Sequence, residues 1–300
     1  MRVLHVVPGL DVVGNGIAVA AKLIAAEQGA DLVEARLFAG GEGGLDDYDE
    51  VWVHSCWLPM TLKSCWRVLR SGKPLVRMTH ANLDPVRLKF HGWKKWLVGP
   101  IERWCLRRCD RIVATCEAEK GWIQSYLGKH CPPIEVTDIK RFFNLNPVNP
   151  VNPVRKKLHL LYLGRRHPLK GLEFLEAAVK GIEGVELRAV SNAFGEEKEK
   201  VWEWCDVLVL PTLSDNFGLV IAEALERGKR VITTDGAPAW SPSASAAEDK
   251  GDGNDYGGRL VYIKGYRDGT AEARVRLLRA VIEACIINPT GKEDAYELGR

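Results

Sequence analysis

Two acids eight residues apart, Asp215 and Glu223, bracket Asn216-Phe217-Gly218-Leu219 just after the apolar run Val207–Leu210. Carboxylates beside a helix start can hold sugar hydroxyls, Gly218 lets a ligand approach the backbone, and the amides around it can cradle phosphate. Read singly, Asp215 is equally an N-cap and Glu223 a surface acid. Upstream, Gly164-Arg165-Arg166-His167-Pro168-Leu169-Lys170-Gly171 places three cations on a glycine turn at the mouth of a helix. Arginine offers a planar fork and lysine a mobile point charge, a pairing that suits a diphosphate; a solvated basic turn is the alternative. In the other half His80 ends a strand in Met78-Thr79-His80-Ala81-Asn82-Leu83-Asp84-Pro85, where it could hydrogen-bond a substrate or only its own fold. Gly14-Asn15-Gly16 opens an apolar helix. No Lys and Ser or Thr follow it, so it is not a P-loop, and Val19 stands where a dinucleotide fingerprint needs its third glycine, which leaves Glu34 as thin support for NAD.

The elements that must position these residues alternate short β-branched runs with amphipathic helical stretches, the pattern of parallel sheets with crossover helices. Strands are predicted at Arg2–Val7, Leu32–Phe38, Val51–His54, Leu75–Thr79, Arg111–Thr115 and Ile134–Thr137. In the second half they are predicted at Leu158–Leu163, Val185–Val190, Val207–Leu210, Arg230–Thr233 and Leu260–Ile263. Between the halves Asn-Pro-Val repeats three times over residues 146–154, a stiff extended linker. The expectation is two Rossmann-like α/β domains, residues 1–145 and 155–300, facing across a cleft into which the carboxyl ends of both sheets point.

Composition agrees. The chain has 300 residues, 46% hydrophobic and 27% charged, which excludes disordered, collagenous and small disulfide-scaffold classes. The start of the sequence reads as neither a signal peptide nor a membrane span, and the expected location is the cytoplasm. Eight cysteines with no C-x-x-C pair read as reduced thiols; Cys105, Cys109 and Cys116 lack a second ligand pair with zinc spacing, so no metal is expected. Net charge is only +3, but residues 87–111 hold eight Lys or Arg against two acids. Trp93, Lys94, Lys95 and Trp96 lie at the centre of this stretch. Basic residues mixed with tryptophan suit an anionic membrane surface; a solvated helix face with core tryptophans is the alternative, and no nucleic-acid-binding motif is present.

The segment from Ser214 to Ala224 resembles the Glu-x7-Glu signature of retaining GT-B glycosyltransferases of family 4, whose pattern is Ser-Glu-x-Phe-Gly-Leu-Val-x-x-Glu-Ala. The resemblance implies that Asp215, in the first acid's place, and the amides of Asn216, Phe217, Gly218 and Leu219 hold the transferred sugar and phosphate, and that Glu223 holds ribose. Asp for Glu shortens the first arm by one bond. Arg165 and Lys170 take the places of the cations that grip the diphosphate. Thr233–Trp240 resembles the loop after the next strand. Met78–Pro85 is similar to the family's Thr-x-His-Gly-x-x-x-Pro, which implies that His80 faces the sugar. Thr115-Cys116-Glu117-Ala118-Glu119 is similar to Thr-Ser-Glu-x-Glu and nominates Glu117 on the acceptor side. The turn at Gly14, Asn15 and Gly16 would let donor phosphate approach from the first domain.

What the resemblance implies is a metal-independent, cofactor-free hexosyl transfer from a nucleoside diphosphate sugar to a lipopolysaccharide or polysaccharide acceptor. No first-domain carboxylate stands out as a nucleophile, which fits a front-face route. Only 16 residues separate Val190 from Val207, where family members fit a further strand and helix, so the base is not readable. The rival expectation is a degenerate GT-B protein that binds nucleotide-sugar or glycan without turnover. Residues 241–258, rich in Ser, Ala, Gly and Asp, read as a loop.

Overall fold

The computed structural model describes residues 1–90, 92–145, 157–191, 193–242, 256 and 259–287, with the Lys94 side chain left out. The Asn-Pro-Val linker, His91 and most of the 241–258 loop lie outside the described residues. The chain divides into two compact units between Ile139 and Lys140. Residues 140–145 thus go with the second unit: Phe143 stacks near Phe217 at 6.0 Å, the Asn144 amide donates to Glu226 Oε1 at 3.1 Å, and Arg259 donates to the Leu145 carbonyl at 2.9 Å.

The first unit contains β1 (Val3–Val7), β2 (Asp31–Glu34), β3 (Glu50–His54), β4 (Leu75–Met78), β5 (Arg111–Ala114) and β6 (Ile134–Val136). They form one parallel sheet in the order β2-β1-β3-β4-β5-β6. Its helices are α1 (Gly16–Gln28), α2 (Ala35–Ala39), α3 (Pro59–Ser71), α4 (Pro85–Lys89), α5 (Gly92–Arg107) and α6 (Glu117–Leu127). The second unit contains β7 (Leu158–Leu163), β8 (Val185–Val190), β9 (Val207–Leu210), β10 (Arg230–Thr234) and β11 (Leu260–Ile263), parallel in the order β11-β10-β9-β7-β8. Its helices are α7 (Leu172–Val179), α8 (Gly195–Trp204), α9 (Leu219–Glu226) and α10 (Ala271–Ile287).

Every predicted strand is present, with one correction. The run Leu32–Phe38 is β2 followed by helix α2, because Glu34 caps α2, its carboxylate accepting from the Arg36 amide at 3.3 Å, and Phe38 turns into the core. Strand alternation sorts the first sheet's faces. Leu4, Val6, Val51, Val53, Leu75, Ile112 and Ala114 join Phe38, Cys65, Cys105, Ile123 and Leu127 in one apolar cluster. The opposite face carries His5, Glu50, Trp52 and His54, all buried. The short interval before β9 is filled by α8 among the described residues, so β8 is an edge strand with a single crossover helix behind it.

Candidate active site

In an open parallel sheet, ligands bind beyond the carboxyl ends of the strands where the order reverses. In the second unit that point lies between β7 and β9, and the loops leaving these two strands are the basic turn 164–171 and the acidic segment 211–218. They are knit together by backbone contacts. The Leu169 carbonyl accepts from the Leu213 amide at 2.8 Å and from Thr212 Oγ1 at 2.9 Å, and the Gly236 carbonyl, after β10, accepts from the Asp215 amide at 2.7 Å. Two glycines permit this closeness. A Cβ on Gly171, whose φ is +67°, would stand 2.1 Å from the Pro211 carbonyl oxygen, and one on Gly236 would stand 1.9 Å from that of Thr212.

This framework brings Lys170 and Asp215 together. Lys170 Nζ pairs with Asp215 Oδ2, both side chains mostly buried, while Asp215 Oδ1 accepts from the Asn216 amide at 2.7 Å. Gly218, at φ +66°, starts α9 in a left-handed conformation that a side chain would oppose. Phe217 is buried against Trp240, 5.1 Å between rings, and Trp240 Nε1 donates to the Phe217 carbonyl, so the turn before Leu219 is anchored from the short 3-10 turn Pro238–Trp240 after β10. Glu223 lies on the second turn of α9, its carboxylate 2.7 Å from Lys198 of α8. The side chain of Arg165 is exposed; its carbonyl accepts from Tyr162 Oη at 2.8 Å. Within this one unit the structure gathers Lys170, Asp215, Asn216, Phe217, Gly218 and Leu219 at one sheet end, with Arg165 on the same turn as Lys170. A cation, a glycine turn and a helix start together favour an anion.

In the first unit His80 follows β4 in an unusual backbone state: His80 and Ala81 have φ of +53° and +54°. Left-handed geometry costs an L-residue about 1–2 kcal/mol. Glu119, fully buried on the first turn of α6, holds the segment: Oε1 accepts from Thr79 Oγ1 at 2.6 Å and from the Ala81 amide, and Oε2 accepts from both the amide and the hydroxyl of Thr115 at 2.7 Å. The helix N-terminus favours the carboxylate there. Glycine would adopt the Ala81 geometry without that cost. His80 is itself buried, and that burial, followed by the charge of Arg87, lowers its pKa to about 3.

Other nominated residues are placed differently. Glu117 is exposed and pairs with Lys120 at 3.3 Å, while its neighbour Glu119 builds the His80 turn. Asn15 caps α1, accepting from the Ile17 amide at 3.2 Å and donating to the carbonyls of Pro8 and Gly9 at 2.8 and 2.9 Å; Gly14, at φ +77°, turns the chain into that cap ahead of Gly16. Glu34 accepts from the amides of Gly9 and Leu10 at 3.2 and 2.7 Å, so it clamps this loop, a structural task in place of a ribose contact. On α5, Trp93 and Trp96 are 66% and 77% exposed and share a stripe with Leu97, Ile101 and Trp104. Lys95 turns inward to the Arg87 carbonyl, and burial lowers its pKa. Arg107 donates to the Leu127 carbonyl at 2.6 Å, and Arg111 pairs with Glu50. The basic stretch is therefore more internally committed than its residue count implies.

Comparison with known proteins bears on both units. A model of the family described as Glycosyltransferase Family 4 matches residues 35–145, and one described as Glycosyl transferases group 1 matches residues 148–279. No curated protein sequence matches the chain. Among solved structures, sucrose-phosphate synthase from Thermosynechococcus elongatus is similar at 15% identity and a TM-score of 0.68, with 96% of this chain and 90% of that one covered. HepE of Anabaena, solved with UDP and glucose, is similar at 15% identity and a TM-score of 0.60 over 96% of this chain and 90% of its own. The apo form of the lipopolysaccharide outer core galactosyltransferase WaaB reaches a TM-score of 0.55 at 14% identity, covering 95% and 91%. At these identities the structures speak to the fold, and the family models speak to descent. With both halves matched and two parallel α/β sheets of this topology, the chain belongs to the family 4-like GT-B glycosyltransferases.

Proposed function

We propose that the protein transfers a hexose, with retention of anomeric configuration and without a metal, from a nucleoside diphosphate sugar to a surface-glycan acceptor of the lipopolysaccharide or exopolysaccharide kind. The observation that carries the reading is the Lys170–Asp215 pair set beside the Gly218 turn and the start of α9, at the strand-order reversal of the second sheet. A diphosphate entering there would take Lys170 from Asp215, meet the N-terminal amides of α9, and draw in the exposed Arg165. As the glycosidic bond breaks, negative charge grows on the leaving phosphate, and these groups stabilise it, which is where most of the rate enhancement would arise. Asp215 and the Asn216 and Phe217 backbone would then orient the sugar and Glu223 the ribose.

Neither acid at the start of α6 is offered as a nucleophile. Glu117 is exposed beside Lys120, and Glu119 is fully buried and engaged by Thr79, Ala81 and Thr115. That supports a front-face route in which the departing phosphate accepts the acceptor's proton. HepE was solved in complex with UDP-glucose, so UDP-sugars are the first donors to try. The exposed Trp93 and Trp96 stripe supports docking on an anionic membrane that carries a lipid-linked acceptor, with Arg103 and Arg108 beside it. No helix among the described residues is long and apolar enough to cross a membrane. The assay is transfer from a panel of nucleoside diphosphate sugars to lipid-linked glycans, with the product anomer read by NMR and a chelator arm for metal dependence.

The rival, a degenerate protein that binds without turnover, draws on one observation: both acids already face lysines, Asp215 with Lys170 and Glu223 with Lys198. Nucleotide binding that survives in the absence of any turnover, in wild type as in Glu223→Gln, would favour it.

A further inference from the structure

In the second sheet β8 pairs with β7 on one side, and among the described residues no strand lies on its other side. The hydrogen-bonding phase along this edge is fixed. The Gly184 carbonyl accepts from the Leu158 amide at 2.7 Å and the Val190 carbonyl from the Gly164 amide at 3.0 Å, so the main-chain groups of the even-numbered residues point at β7. Alternation then turns the N–H and C=O groups of Val185, Leu187 and Ala189 outward, where they meet no hydrogen-bond partner among the described residues. A row of this kind is a template for a further strand.

The charges on β8 say which strand fits. Glu186 and Arg188 project from one face of the strand, both half-exposed, with Oε1 and Nη2 3.6 Å apart. The Arg188 guanidinium is held in place 4.0 Å from the centre of the Trp204 ring, which itself stacks on His159 at 4.4 Å and 9°. Charged side chains on an edge commonly repel a neighbour. Here they repel a second copy in some registers and attract it in one. In an antiparallel pair of β8 strands, outward residues oppose outward residues. A pair centred on Leu187 sets Leu187 against its own copy and Val185 against Ala189 in both directions, using every outward group of the strand. The same register sets Glu186 opposite Arg188 of the partner subunit, twice, at the closer non-hydrogen-bonded positions. Centring the pair on residue 186 would set Glu186 against Glu186, and centring it on residue 188 would set Arg188 against Arg188; both carry the cost of like charges directly opposite.

We propose that two copies of this chain associate by antiparallel pairing of β8 with β8, on a two-fold axis through Leu187, which joins two five-stranded sheets into one continuous sheet. The occupant is a second copy because the edge is complementary to itself in hydrogen-bonding phase and in charge at once. The contact uses none of the residues proposed to bind the donor. It is built from one short strand on each side, which puts the dimer in the small, concentration-dependent class.

Sedimentation velocity of the full chain from about 1 to about 100 μM spans the range of such an interface. Wild type should shift toward twice the 33.4 kDa of one chain as concentration rises. Glu186→Arg sets like charges opposite each other at both cross-strand positions, and so does Arg188→Glu; each should weaken self-association by about 10-fold or more. Mixed in equal amounts, the two variants should associate as wild type does, because each offers the charge that the other lacks. The double variant Glu186→Arg/Arg188→Glu should also recover wild-type association, with the pair inside the chain kept. A wild type that stays monomeric throughout would overturn the proposal. Single variants that self-associate as strongly as wild type would overturn it too. So would a mixture and a double variant that both stay monomeric, since loss through a damaged strand is not repaired by opposite charge.

Discussion

Replacing Glu119 by glutamine probes how this fold affords its strained histidine turn. The carboxylate serves four donors: Thr79 Oγ1 and the Ala81 amide on one oxygen, the Thr115 amide and hydroxyl on the other. Glutamine keeps one accepting oxygen and presents an NH2 group at the other site. A threonine hydroxyl can rotate to accept from that NH2, but a backbone N–H cannot, so either the Ala81 or the Thr115 amide loses its partner. An orphaned buried donor costs about 1–3 kcal/mol, and losing the ionic character of the remaining bonds adds about 1 kcal/mol. The sum, about 3 kcal/mol, corresponds to roughly 6–12 °C in the melting temperature of the first unit. Thermal denaturation followed by circular dichroism measures this, and His80 ring shifts report whether the turn moves. A loss below about 1 kcal/mol with an unmoved His80 would refute the claim that Glu119 holds the turn.

Further outcomes follow from the same geometry. Ala81→Gly relieves the left-handed penalty at φ +54° and should leave stability unchanged or raise it by up to about 1 kcal/mol, read from the denaturant midpoint. Gly171→Ala must displace the Pro211 carbonyl, 2.1 Å from the new Cβ, and should abolish nucleotide binding in calorimetry while the first unit still melts normally. Stability should fall on acidification. His5 is depressed to about 4 when folded, so the unfolded chain takes up its proton first, near pH 6.5; this contribution is complete above that pH and is lost progressively down to about pH 4, about 3 kcal/mol for His5 alone. Urea midpoints between pH 7.5 and 4.5 check it, and His5→Asn should flatten the slope.

The fold was legible because strands and helices differ in period, and β7, β8, β9 and β11 fall on the residues that periodicity marked. The run from Leu32 reads as a single strand because Val33 and Leu37 are apolar, whereas the capping carboxylate of Glu34 decides that a helix begins. At the sheet end of the second unit, residue types and spacing named Lys170, Asp215 and Gly218, but not that Lys170 and Asp215 pair, nor that Gly171 and Gly236 make room for carbonyls. Those facts depend on three loops meeting, which no local pattern carries. Glu119 stood inside a quoted motif beside the nominated Glu117; the helix start gave both acids the same local rationale, and only burial separates them. His5 and His54 left a weak signal, a histidine inside or ending an otherwise apolar strand, with nothing to say that the two strands are neighbours.

Nucleotide binding at Lys170 is tested by calorimetric titration of the full chain and of Lys170→Ala with UDP, ADP, GDP and their sugars. Wild type should bind one nucleoside diphosphate, and Lys170→Ala should weaken that binding by about 10–100-fold, the worth of one charge-assisted contact to phosphate. Equal affinity in the two proteins, or heat from none of the nucleotides, would contradict it.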